Sequence, residues 1–128
     1  MNPDELITKE CPLPVSDTVA RLSSLIAEKG ITLFGVIDHS GEAHACGLEL
    51  RDTKVVMFGN PAGGTPVMKA RPLAALDLPL KVLVWDDDGQ TKLTYTAPAA
   101  LAARYDVPAE LTAPLGAVDV LTDAVIAG

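Results

Sequence analysis

The residues able to do chemistry fall in three short stretches. The first is Gly59-Asn60-Pro61-Ala62-Gly63-Gly64-Thr65-Pro66, a glycine-rich segment between two strongly apolar runs. Glycine leaves the main chain uncovered, and the N–H groups opening a following helix favour an anion. Gly59 and Gly64 have the glycine spacing of a nucleotide-binding loop, but Thr65 stands where that loop needs lysine and Pro66 where it needs a hydroxyl. No cation or Mg²⁺-binding hydroxyl is in place, which argues against nucleotide hydrolysis. A small ligand or anion resting on the turn is the expectation, with Lys69 or Arg71 supplying positive charge. The plainer alternative is that the glycines only permit a tight turn, while Asn60 and Thr65 cap helices beginning at Pro61 or Pro66.

The second stretch holds His39, His44 and Cys46, with Asp38 and Glu42 nearby. Zinc needs three or four ligands, and this spacing matches no standard site, so no metal is assigned. Nothing specifies a haem pocket either. His39 is the candidate acid–base group, although neighbouring Asp38 on a strand would point to the opposite face. The third stretch, Asp86-Asp87-Asp88, lacks the longer pattern closing in Glu that a Ca²⁺ loop needs, and reads as a solvated turn. No Ser-His-Asp or Cys-His arrangement can be assembled.

The elements that must position these residues follow from periodicity. A short strand covers Leu6 to Thr8, and Pro12 and Pro14 mark an irregular segment. Val19, Leu22, Leu25 and Ile26 recur at helical spacing, predicting a helix over 17–29 with Ser16 as N-cap and Gly30 as left-handed terminator. Ile31 to Asp38 is near-continuously apolar, the pattern of a central strand covered on at least one face. A short helix over Glu42 to Leu48 and a strand over Lys54 to Phe58 come next. After the glycine segment, Val67 to Ala70 is helical and Arg71-Pro72 ends it, with Leu73, Ala74 and Leu76 continuing an apolar face. Pro79 to Asp86 and Gln90 to Thr96 form a hairpin about Asp88-Gly89. A short helix through Tyr105 and a last helix capped by Thr112 complete the order. That order fits an α/β fold of the α+β type: a two-layer sandwich with a mostly antiparallel sheet and helices packed on one face. The other face is left to solvent or to a second subunit.

Composition bounds the partners. One domain is expected from 128 residues. A net charge of −7 disfavours nucleic acid and anionic membranes. No run of about 18 apolar residues is present, and the first residues lack a signal-peptide pattern, so a cytoplasmic protein is expected. Two cysteines, Cys11 and Cys46, are too few for a disulfide framework and read as small packed side chains.

Phe58-Gly59-Asn60-Pro61, Gly64-Thr65-Pro66-Val67-Met68 and Leu76-Asp77-Leu78-Pro79-Leu80-Lys81 together resemble the domain-of-unknown-function 302 family. Gly30 to Phe34, Ile37-Asp38-His39 and Gly47-Leu48-Glu49-Leu50 are similar to it as well, so the resemblance covers roughly Ser16 to Asp106. Ile31 departs from the family's usual aromatic residue. The resemblance implies an α/β two-layer sandwich and a homodimer; it implies no settled activity and no cofactor. The expected function is that of a small-ligand-binding homodimer. Its candidate residues are His39, Asn60, Gly63, Gly64, Thr65, Met68 and Lys69. The alternatives are a small-molecule enzyme using His39, or a structural dimer without a ligand.

Overall fold

A computed structural model describes residues 5–128. Its five strands are β1 (Leu6–Cys11), β2 (Thr32–Asp38), β3 (Thr53–Gly59), β4 (Leu80–Asp87) and β5 (Gln90–Thr96). They form one sheet in the order β1-β5-β4-β3-β2, antiparallel throughout. β2 through β5 are a meander, and β1 closes the far edge against β5. The helices are α1 (Val15–Glu28), α2 (His39–Ala45), α3 (Pro61–Ala70), α4 (Pro98–Arg104) and α5 (Ala117–Ala127). Three short 3₁₀ turns, Pro72–Asp77, Ala109–Leu111 and Ala113–Gly116, link them. This is the expected α/β sandwich.

Alternation along the strands makes the core. Val56 and Phe58 of β3, Val82 and Val84 of β4, and Leu93 and Tyr95 of β5 are buried against Leu22 and Ile26 of α1 and Val118, Leu121 and Val125 of α5. Side chains of period two on strands and of period 3.6 on helices meet on one side of the sheet. The opposite face carries Val55, Met57, Leu83 and Trp85, all partly exposed. α5 is tied to β1 by Lys9, whose Nζ donates to Thr122 Oγ1 and Asp123 Oδ1, both at 2.8 Å. Burial opposes the Lys9 charge, but the hydrogen bonds and charge attraction of Asp123 and Tyr95 outweigh it and hold its pKa above the usual lysine value.

Local signals worked where one residue type fits one conformation. Gly30 has φ +69° and ends α1, with Ile31 N–H donating to Ile26 C=O at 3.1 Å. Asp88 and Gly89 both have positive φ, as the tight hairpin turn requires. Other boundaries moved. β1 runs on to Cys11, and α1 starts at Val15 behind Pro14, without a side-chain cap from Ser16. α2 begins at His39 rather than Glu42, because the Asp38 side chain accepts from Gly41 N–H at 2.9 Å. The last helix starts at Ala117, after the 3₁₀ turns, and Thr112 does not cap it. Of Leu73, Ala74 and Leu76, which continue an apolar face in the sequence, only Ala74 is buried, and Leu73 and Leu76 are exposed.

β2 is the largest departure. Its sequence reads as a central strand, yet it lies at the sheet edge, and every residue but Gly35 is exposed. The register against β3 shifts between Leu33 and Gly35, leaving Phe34 as an extra residue at a bulge.

Candidate functional site

The glycine segment is helix, not turn. Asn60 caps α3: its Oδ1 accepts from Ala62 N–H at 3.0 Å, and Pro61 fills the first helical position. Gly63 and Gly64 N–H both donate to Asn60 C=O, at 2.9 and 2.8 Å. Pro61 has no N–H to give, so the first turn of α3 is left without a free amide for an anion. Of the two cap signatures, Asn60-Pro61 opens the helix, and Thr65-Pro66 lies inside it.

The two glycines serve different surfaces. A Cβ on Gly63 would stand 2.7 Å from Pro114 Cβ and 2.8 Å from Pro114 Cγ, so this glycine lets the 3₁₀ turn Ala113–Gly116 approach α3. A Cβ on Gly64 would meet only Met68 Cε, at 3.8 Å, in ordinary contact. Gly64 borders a cleft of about 240 Å³ at the corner where β3 ends and β4 begins. It is lined by Phe34, Pro61, Met68, Leu80, Pro114 and Leu115, together with the chain at Gly59, Leu78 and Pro79. The Leu78–Pro79 peptide there is cis. Asn60 supplies the one polar side chain among the described lining residues, and none of them is charged. The bulge in β2 re-aims Phe34 onto this corner, 3.5 Å from where a Gly59 Cβ would be.

Of the seven residues expected at a site, Asn60, Gly64 and Met68 line the cleft. Gly63 packs behind it. Thr65 and Lys69 are exposed on α3 and do not line it. Arg71 is engaged elsewhere, its Nε donating to Asp106 C=O at 2.9 Å. His39 is not brought to the corner. It follows Asp38, which pairs with Lys54, whereas Asn60 follows Gly59, which pairs with Thr32. Those two ends of β3 are about 17 Å apart at strand rise. The walls Phe34, Pro114 and Leu115 were not found from sequence. A bulge and a contact made by a distant 3₁₀ turn leave no local pattern.

Among the described residues, no three of His, Cys, Asp and Glu are gathered as a metal would need. His44 Nε2 lies 3.9 Å from Glu49 Oε2 at the surface. Cys46 is exposed, and Cys11 is buried beside Thr18 with Sγ 3.4 Å from Oγ1. A polar clasp sits beside the cleft: Asp77 Oδ2 accepts from Tyr105 Oη at 2.5 Å and from Arg104 at 2.7 Å. The Tyr105 hydrogen bond, with Arg104 behind it, holds the Asp77 carboxyl below the usual carboxylate range. The same bond raises the Tyr105 phenol.

The fold and corner together define a two-layer α/β domain with one small apolar cleft as its candidate site. The chain belongs to the family described as "Domain of unknown function DUF302", whose model matches residues 7–125. The crystal structure of an uncharacterized conserved DUF302 protein from Bacillus stearothermophilus shares the fold, with a TM-score of 0.79 over 96% of both chains at 18% identity. In sequence, the chain is 36% identical over 103 residues to a Brucella suis protein named fluoride-specific ion channel FluC 1, covering 80% of this chain and 41% of that protein. A Brucella melitensis protein named FluC 2 matches equally, with 38% of its length covered. The chain thus spans about two-fifths of the length of these relatives. No helix among the described residues is long and apolar enough to cross a membrane.

Proposed function

We propose that this chain is a small-molecule-binding homodimer whose ligand is neutral and mostly apolar. One observation carries the ligand class: among the described residues, the cleft at Asn60, Gly64 and Met68 is walled by aliphatic, proline and aromatic side chains, with a single amide at its rim. Apolar concavities with a few placed polar groups are where small ligands bind. An anion finds little here, since the α3 amides are already bonded and Lys69 and Arg71 lie elsewhere. A charged molecule entering such walls would give up its hydration without a partner. Catalysis by His39 gains no support from its place at the other end of β3.

Thermal-shift measurements with neutral aromatic probes such as indole test this reading. A ligand at about 100 times its Kd adds about 2.7 kcal/mol to the folded state. In a domain of this size that raises Tm by about 10 °C. Gly64→Leu, which directs a side chain into the cleft, should abolish the shift while leaving the protein folded. Stabilisation that survives Gly64→Leu would move the site elsewhere.

A second reading rests on the match to the two Brucella proteins named as fluoride channels. In it, this chain serves as an accessory domain to a channel of that kind. Deleting its gene should then sensitise cells to fluoride, and unchanged fluoride tolerance would remove this reading.

A further inference from the structure

The end of the sheet away from the cleft carries a polar row. Cys11 pairs with Thr91, and Thr91 with Asp86. Asp86 N–H donates to Asp52 C=O at 2.9 Å, one step beyond the pair Thr53 and Trp85. Residues opposite one another on antiparallel strands share a face. Cys11, Thr91, Asp86 and Asp52 therefore stand in a row on the side that α1 covers. The row borders a groove of about 370 Å³, closed on its other side by Pro12, Leu13, Pro14 and Val15 at the start of α1. Thr91 is only 5% exposed. Its C=O accepts from Gln90 Nε2, but its hydroxyl has no partner among the described residues. No side-chain nitrogen or oxygen described is both sealed from solvent and unbonded, so this hydroxyl reaches the groove that Thr91 lines. Polar side chains this deeply placed ordinarily find a partner.

The groove is rich in acceptors and poor in donors. Arg51 and Lys92, the basic neighbours of this row in sequence, pair with Asp87 instead, at 3.9 and 2.5 Å. Asp86 Oδ1 accepts from Gly89 N–H at 3.0 Å, which leaves Oδ2. Gln90 spends its Nε2 on the Cys11 and Thr91 carbonyls, at 3.0 and 3.2 Å, which leaves Oε1. Pro12 and Pro14 have no N–H to offer. Asp17 in the first turn of α1 offsets the positive end of that helix. Among the described residues the carboxylates are too few for a metal ion. We propose that this groove binds the ammonium group of a small primary amine. An ammonium carries three N–H donors and no acceptor. They match an Asp52 carboxylate oxygen, Asp86 Oδ2 and the Thr91 hydroxyl, with Gln90 Oε1 to spare. Hydrogen bonds between charged groups are the strong ones. Pro12, Leu13 and Pro14 give the carbon chain of the amine an apolar wall. The net charge of −7 draws cations in. Leu80 lines the apolar cleft and Asp86 lines this groove, about 20 Å apart along β4, so the two sites are separate.

Amide NMR of the intact chain at neutral pH tests this, with n-butylamine hydrochloride as probe. Tetramethylammonium chloride and calcium chloride at matched ionic strength are the comparisons. The expected result is saturable shifts of the Gly89 and Thr91 amides with butylamine. Tetramethylammonium, with the same charge but no N–H, should leave them unmoved. Thr91→Val, which keeps the shape and removes the hydroxyl, should weaken butylamine binding at least about tenfold. Asp86→Asn should do the same. Asp88→Asn removes an equal charge from the same turn but does not touch the groove, and should change affinity by less than about twofold. Absence of saturable shifts with butylamine overturns the proposal, as does affinity indifferent to Thr91→Val. Equal binding of tetramethylammonium, or equal losses in Asp88→Asn and Asp86→Asn, overturns it in favour of diffuse attraction to an acidic turn. Calcium that shifts the same amides and resists displacement by butylamine overturns it in favour of a metal.

Discussion

Gly63 and Gly64 are adjacent in sequence and answer to different constraints. Gly63 is small because Pro114 leaves no room for a methyl group, and Gly64 is small where room remains. Gly63→Ala should therefore destabilise the fold by about 1–3 kcal/mol, the usual cost of overpacking. Gly64→Ala should stabilise it by up to about 1 kcal/mol, the helix-propensity difference. Urea denaturation of the two variants checks the pair, and equal effects would mean the α3 packing is misread. Asn60→Ala should cost about 1 kcal/mol by removing the cap on Ala62 N–H. At this scale the sequence was half legible. Asn60, Gly64 and Met68 could be singled out from residue types, but the reason they matter could not. Glycines suggested bared amides, whereas Asn60 C=O had already taken those amides.

At the scale of elements, α3 shows why the boundary was misplaced. Asn60-Pro61 and Thr65-Pro66 are equally good start signals by residue type, and only burial of Val67 within one continuous helix decides between them. β4 and β5 were legible, because their alternation and the Asp88-Gly89 turn admit one arrangement. The clasp joining the 3₁₀ turn Pro72–Asp77 to α4 was not, since Asp77 lies 27 residues before Arg104 and 28 before Tyr105. It carries a pH dependence. The Tyr105 and Arg104 bonds depress the folded pKa of Asp77, so its stabilisation is fully present above the unfolded value near about pH 4. It is lost as pH falls through the lower folded value. Asp77→Asn should flatten the acid limb of stability below about pH 4 and change its slope little near neutrality. Chemical denaturation at stepped pH measures this, and an unchanged acid limb would mean the clasp is idle.

For the whole molecule, layer type and strand direction followed from element order, because short connections between strands favour antiparallel neighbours. The place of β2 did not follow: a hydrophobic run does not say where in the sheet its strand will lie. The same logic governs the cleft. Its walls come from β2, α3, β4 and a 3₁₀ turn late in the chain, so it exists only once the sheet is assembled.

The most direct measurement is a methyl NMR titration that follows Met68 and Leu115 while indole, and separately sulfate, is added. A cleft that takes neutral apolar molecules predicts saturable shifts of both methyl signals with indole and none with sulfate. Shifts with sulfate at the α3 N-terminus, or indole leaving Met68 and Leu115 unmoved, would contradict it.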